Sequence, residues 1–256
     1  MVGVFDSGIG GLTLLFELQK AMPNEEFMYY ADTDNVPYSY KTPNQIKTFV
    51  EDAVLFLHQQ GCGLVVLACN TATNVAIAYL REQYTFPIVA IQPAVKLAAD
   101  HNHDHKRILS CATPITLSSV RYQQLLDKLG VRTTVDNLPL PKLVEFAENE
   151  TFDSAEVLAY LKTEFSHFAL ENYQFIVLGC THFTFFEALI ETNFPPLKTL
   201  DGNAGTAKRV AYILEEEHLA APTATANPSV TFYESGRLVQ NPARFLRFLE
   251  RLKVDI

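Results

Sequence analysis

Two stretches of the chain carry the same arrangement of chemistry. Leu64 to Thr73 reads LVVLACNTAT, and Phe175 to Thr184 reads FIVLGCTHFT. Each passes from a β-branched apolar run through a small residue to a cysteine. Thr, Asn or His follows, with a threonine four places beyond the cysteine. The pattern predicts a buried strand that ends at the cysteine and turns into a helix. Parallel α/β sheets bind ligands at the carboxyl ends of their strands, and a helix N-terminus stabilises a thiolate. Cys69 and Cys180 are therefore the candidate reactive groups.

Several chemistries use a thiol in such a place. A cysteine beside a base is a nucleophile, with His182 placed to activate Cys180 and Asp6 to play the parallel role at Cys69. A one-nucleophile hydrolase has no need of the second, matching cysteine. A redox pair needs both sulfurs within bonding reach, usually in one short motif. Inversion of a carbon centre uses both thiols. Removing the α-proton of an amino acid leaves a nearly planar carbanion, and the proton must return on the opposite face. A thiol's ordinary pKa of about 8.5 lies near enough to neutrality for the acid and the base role alike. Threonines, Asn70 and backbone N–H groups can hold carboxylates without a lysine or arginine.

The elements that must position these groups alternate along the chain. Apolar strands are expected at 2–5, 27–31, 64–68, 87–91, 107–110, 131–137, 173–179, 198–200 and 230–234, separated by amphipathic helices. The helices include 117–129, 155–171 and 183–192. This predicts an α/β fold with two similar lobes, each a mainly parallel sheet flanked by helices, and an active site in the cleft between them. Residues 1–92 with 203–256 form the first, discontinuous lobe, and 93–202 the second. Asp6 and Ser7 close the first strand on the ligand side. The polar loop after the second strand carries Tyr38 and Ser39, and such loops often contact substrate. Thr113 and Thr116 stand at a strand-to-helix junction, to cap the helix or face a ligand.

Bulk properties narrow the class. The chain has 256 residues, 48% of them hydrophobic, and a formal charge of −9. It is long enough to bury a core, and its negative charge argues against a nucleic-acid surface. No apolar run reaches the length of a membrane span, and MVGVFDSG lacks the layout of a signal peptide, so a cytoplasmic protein is expected. The four cysteines, Cys62, Cys69, Cys111 and Cys180, form no CxxC pair, so a zinc knuckle is not expected. The HNHDHK run at 101–106 reads as a solvated loop rather than a metal tract. Glycines at 8, 10 and 11 do not fit the dinucleotide fingerprint, leaving a nucleotide role weakly supported. Ala220 to Pro228 reads as a loop of small residues and prolines.

The motifs DSGIGGLT, VPYSYK, ACNTAT, ATPITLSS and GCTHF together resemble those of the glutamate racemases, in the cofactor-independent aspartate/glutamate racemase superfamily, over essentially the whole chain. Thr73 and His182 stand where related aspartate racemases usually carry His and Glu, which favours glutamate. The resemblance implies that Cys69 and Cys180 are the catalytic acid/base pair, assisted by Asp6 and His182. It implies substrate contacts from Asp6, Ser7, Tyr38, Ser39, Asn70, Thr71, Thr181 and His182, with Thr113 and Thr116 as further candidates. It further implies L- and D-glutamate as substrates, no pyridoxal phosphate, no metal, no nucleic-acid or membrane partner, a homodimer, and supply of D-glutamate for peptidoglycan. Ser39 replaces a usual glycine, Gln92-Pro93 a usual Glu-Pro, and DGNAG at 201–205 a DSG-type turn. The alternatives are an aspartate or other amino-acid racemase, or a non-catalytic amino-acid-binding or regulatory protein on the same scaffold.

Overall fold

The computed structural model of the protein describes residues 1–102, 106–219 and 229–254. Two of the histidines of HNHDHK and the loop at 220–228 lie outside the described residues. The chain divides into two compact units, Met1–Gln92 with Asn203–Ile256, and Pro93–Gly202.

The first unit runs β1 (Val2–Asp6), α1 (Leu12–Ala21), β2 (Phe27–Ala31), α2 (Pro43–Gln59), β3 (Leu64–Leu67), α3 (Asn70–Gln83) and β4 (Ile88–Ala90). The second runs α4 (Ala94–His101), β5 (Arg107–Ala112), α5 (Pro114–Ser118), α6 (Val120–Leu129), β6 (Val135–Pro139), α7 (Pro141–Glu148), α8 (Ala155–Phe165), β7 (Tyr173–Leu178), α9 (Glu187–Asn193) and β8 (Lys198–Leu200). The first unit then resumes with α10 (Asn203–Glu216), β9 (Val230–Glu234), β10 (Arg237–Leu238) and α11 (Ala243–Val254).

The first unit's sheet has the order β10-β9-β2-β1-β3-β4, parallel except for β10. The second unit's sheet, β6-β5-β7-β8, is parallel throughout. Every residue of β1, β2 and β3 is buried, as parallel strands covered by helices require. In the second unit Ala94, Val95 and Ala98 of α4 pack with Ile108, Val135 and Val177 of three strands. Both units contain the strand order second-first-third-fourth, and in both the cysteine follows the third strand. The internal similarity visible in the sequence is thus a repeated topology.

Local structure departs from the expected elements in five places. The helix expected at 117–129 is two helices, because Ser119 is extended and its Oγ caps α6 by accepting the Tyr122 N–H. The strand expected from Val131 begins at Val135. Gly130 ends α6 at φ 67°, and the chain makes one more turn through the Val135 N–H to Val131 O bond before extending. The helix expected at 155–171 stops at Phe165, where Ser166 caps its end, and Leu170–Asn172 forms a separate 3₁₀ turn. The segment after Cys180 is a 3₁₀ helix, Thr181–Phe186, not an α-helix from 183. Its three-residue period puts Phe183 and Phe186, both fully buried, on one side. Finally, Ser235-Gly236 makes a two-residue hairpin turn into β10, a strand not expected from the sequence; both turn residues have positive φ.

Gly11, at the entry to α1, is a tight point of the first unit. A Cβ there would lie 2.6 Å from the Cβ of Asp6 and 3.0 Å from both the Ala68 Cβ and the Tyr29 hydroxyl. Gly11→Ala is expected to destabilise the protein by about 1–3 kcal/mol, the usual cost of overpacking, as measured by urea unfolding. A variant as stable as the parent would show that α1 can move away from β1 freely.

Candidate active site

In the first unit the candidate residues gather at the carboxyl ends of β2, β1 and β3. Register does the placing: Asp6 aligns with Ala31, and Phe5 with Leu67. Asp6 and Ser7 therefore leave β1 beside Asp32 leaving β2, and beside the Ala68-Cys69 turn leaving β3. The chain goes from β1 to β2 on one side and places β3 on the other, so this is a topological switch point, where open α/β sheets bind ligands.

Cys69 is extended, with φ −63° and ψ 120°, and caps α3. Its Sγ accepts the Ala72 N–H at 3.4 Å and its thiol donates to Ser7 Oγ at 3.5 Å. The sulfur thus takes the place of an N-cap oxygen at a 14-residue helix, where the macrodipole favours negative charge. Asn70 and Thr71 form the first turn of the same helix. Asp6 is fully buried and accepts the Gly8 N–H at 3.0 Å. That bond, with the Leu12 N–H to Ile9 O and Thr13 N–H to Gly10 O bonds, ties the glycine loop to itself. The loop's internal bonding weighs against a phosphate cradle.

Tyr38 and Ser39 lie on a 3₁₀ turn, Tyr38–Tyr40, with Tyr38 buried and Ser39 half-buried. The Tyr38 hydroxyl donates to Asp32 Oδ2 at 2.6 Å. Burial first, then the Asp32 carboxylate and its hydrogen bond, and then Cys69 and Asp6, push this phenol well above its ordinary range. It remains a neutral donor. Asp32 also accepts both Asn35 Nδ2 contacts, at 3.0 and 3.1 Å.

In the second unit β5 and β7 flank the equivalent switch point. Thr113 follows β5, and Gly179-Cys180 follows β7. The Gly179 N–H donates to Cys111 O at 2.7 Å, and a Cβ on Gly179 would lie 3.0 Å from both that oxygen and the Ala112 Cβ. Glycine thus lets Cys180 leave the sheet beside β5. Thr113 caps α5: its Oγ1 accepts the Thr116 N–H at 3.3 Å and donates to Thr116 Oγ1 at 3.1 Å. Both threonines are buried, as is Thr181.

Cys180 is held differently from Cys69. Its Sγ lies 3.8 Å from His182 Nδ1, and His182 Nε2 lies 2.8 Å from Glu148 Oε1. Burial opposes charge on the imidazole, but the contacts to Cys180 and Glu148 outweigh it and hold the His182 pKa well above 6.5. His182 thus bridges the Cys180 sulfur and the Glu148 carboxylate. Unlike Cys69, Cys180 makes no side-chain cap hydrogen bond to the 3₁₀ segment that follows it.

Asp32 and Glu148 join the candidate residues, and neither was singled out from the sequence. Asp32 had a readable signal, since it follows β2 as Asp6 ends β1. Glu148 had none, since it ends α7, 34 residues before His182 in sequence. Among the described residues no group of three or more His, Cys, Asp or Glu side chains could hold a metal ion. None of the described helices is long and apolar enough to cross a membrane.

Comparison with known proteins gives the family. The family model described as Asp/Glu/Hydantoin racemase matches residues 14–210. A glutamate racemase of Campylobacter curvus is 43% identical over 259 residues, covering 98% of this chain and 97% of the relative. The crystal structure of a Francisella tularensis glutamate racemase in complex with D-glutamate superimposes with a TM-score of 0.84 at 29% identity, covering 97% of this chain and 93% of that one. An Escherichia coli glutamate racemase, in complex with L-glutamate and the activator UDP-MurNAc-ala, gives a TM-score of 0.82 at 28% identity, covering 98% and 94%.

The His182–Glu148 pair generates a pH prediction. A folded-state pKa raised above 6.5 stabilises the fold fully below that ordinary value, and the stabilisation is lost as pH rises through the folded value. In Glu148→Gln a charge-stabilising partner is gone while burial still opposes charge, so His182 should titrate at lower pH than in the parent. Nitrogen-15 NMR of the imidazole measures this directly. An unchanged titration would mean that Glu148 does not set the charge of His182.

Proposed function

The chain belongs to the Asp/Glu/Hydantoin racemase family, and from that premise we propose that it interconverts L- and D-glutamate by a two-base transfer of the α-proton. The observation that carries the reading is the matched pair of reduced, buried cysteines. Each follows the third strand of the same strand order, and each has its own charge-stabilising partners.

The proposed reaction follows from acid–base chemistry. One cysteine, as thiolate, takes the α-proton: the C–H bond breaks, an S–H bond forms, and the electron pair stays on the α-carbon. The other, as thiol, gives its proton to the opposite face, leaving a thiolate. The roles exchange in the reverse direction. At Cys69 the Ser7 hydroxyl, the Ala72 N–H and the start of α3 stabilise the charged sulfur, with Asp6 beside them. At Cys180 the protonated His182, backed by Glu148, does so. Ser7, Ser39, Asn70, Thr71, Thr113, Thr116 and Thr181 supply the neutral donors for the substrate carboxylates, and Tyr38, whose proton goes to Asp32, offers its hydroxyl oxygen as an acceptor for the substrate ammonium. Their neutrality suits a chain whose net charge repels anions. The same reading makes the protein a cytoplasmic homodimer that supplies D-glutamate for peptidoglycan and works without pyridoxal phosphate or metal.

In deuterium oxide, without added cofactor, product formed from either enantiomer should carry deuterium at the α-carbon, as read by proton NMR. A folded protein that fails to interconvert the enantiomers would overturn the proposal, and activity on aspartate but not glutamate would reassign the substrate. Cys69→Ser and Cys180→Ser should each lower kcat by at least about a hundredfold, the usual worth of a positioned proton-transfer group. A rate within tenfold of the parent in either variant contradicts the two-base scheme.

A further inference from the structure

The loop that carries Tyr38 is held by a part of the chain remote in sequence, the turn of the β9–β10 hairpin. Ser235 and Gly236 occupy that turn with φ 43° and 81°. The Ser235 N–H donates to Ala31 O at 2.8 Å, fixing the turn at the end of β2. The Ser235 Oγ then makes two bonds to the loop: it accepts the Asp34 N–H at 3.0 Å and donates to Asp32 Oδ1 at 3.1 Å. Asp32 is 3% exposed, and its other oxygen takes the Tyr38 hydroxyl. Two hydrogen bonds therefore connect the Ser235 hydroxyl to the Tyr38 hydroxyl through one carboxylate.

Arg237, two residues further, forks onto both oxygens of Asp34 at 2.7 Å each. That pair is 62% and 55% exposed, and exposed pairs contribute little. The serine hydroxyl, bonded to a buried carboxylate, is the consequential contact. The proposed reaction makes no use of this hairpin.

We infer that Ser235 is a positioning residue: its hydroxyl orients Asp32 and the 32–40 loop, and so holds the Tyr38 hydroxyl in place at the Cys69 end of the sheet. The inference rests on the racemase reading for its kinetic consequence, and on geometry alone for its effect on the loop.

Ser235→Gly is the cleanest test, because glycine accepts the positive φ of the turn while the hydroxyl disappears. Amide hydrogen exchange at 33–40 should quicken, and kcat/KM for glutamate should fall about tenfold, as small misplacements of a binding group do. Ser235→Asn, which tolerates the same backbone and offers both an acceptor and a donor, should recover part of the loss. In a Tyr38→Phe background the glycine change should cost less than about twofold, because the group it positions is already gone. Arg237→Ala should stay within about twofold of the parent throughout. Parental exchange rates at 33–40 in Ser235→Gly would overturn the inference. So would faster exchange with parental kcat/KM, or an equal loss in the Tyr38→Phe background. A parent protein inert toward both enantiomers would sink the racemase reading instead, and the exchange comparison would then decide the role of Ser235 by itself.

Discussion

A parallel strand whose neighbours connect away in opposite directions ends with no ladder to finish it. That constraint governs both units. At the ends of β1 and β3, and again of β5 and β7, backbone groups leave the sheet among buried atoms and must find partners. Side chains supply them. Asp6 takes the Gly8 N–H, Cys69 takes the Ala72 N–H, and Thr113 takes the Thr116 N–H. Polar and thiol groups are therefore buried at these strand ends, next to helix starts. The geometry that closes the sheets is the geometry that gathers these groups at the strand ends.

The repeated topology does not give repeated environments. Cys69 is stabilised by dipoles: a helix start, a backbone N–H and a serine hydroxyl. Cys180 instead faces the imidazole of His182, whose charge Glu148 favours against burial. Each solution answers the same difficulty, that removing a thiolate from water is costly unless something nearby favours it. In the proposed reaction the two acids must exchange roles, and their surroundings are unlike. The two directions of catalysis need not then run at equal speed.

Where local expectation failed, tertiary packing outweighed local preference. THFTFF winds as 3₁₀ with five of its six residues buried, so the packing around it on every side sets its winding. Ser119 interrupts a helical pattern because its hydroxyl is a better cap than a helix residue. The Ser235-Gly236 turn carried a hairpin signal, but β10 is two residues long and too short for a period-two pattern. Asp32 followed the same rule as Asp6 and was legible. Glu148 obeyed no local rule, since its partner comes from another element.

By itself the sequence determined the α/β class, most of the strands and the two cysteines with their immediate neighbours. These are encoded within about ten residues, by apolar runs, glycines and the residue that ends each strand. The tertiary structure alone decided which residues stand behind the cysteines' neighbours: Glu148 behind His182, and Ser235 behind Asp32. Such contacts join elements tens to hundreds of residues apart. They depend on strand order and register, and no local periodicity records either.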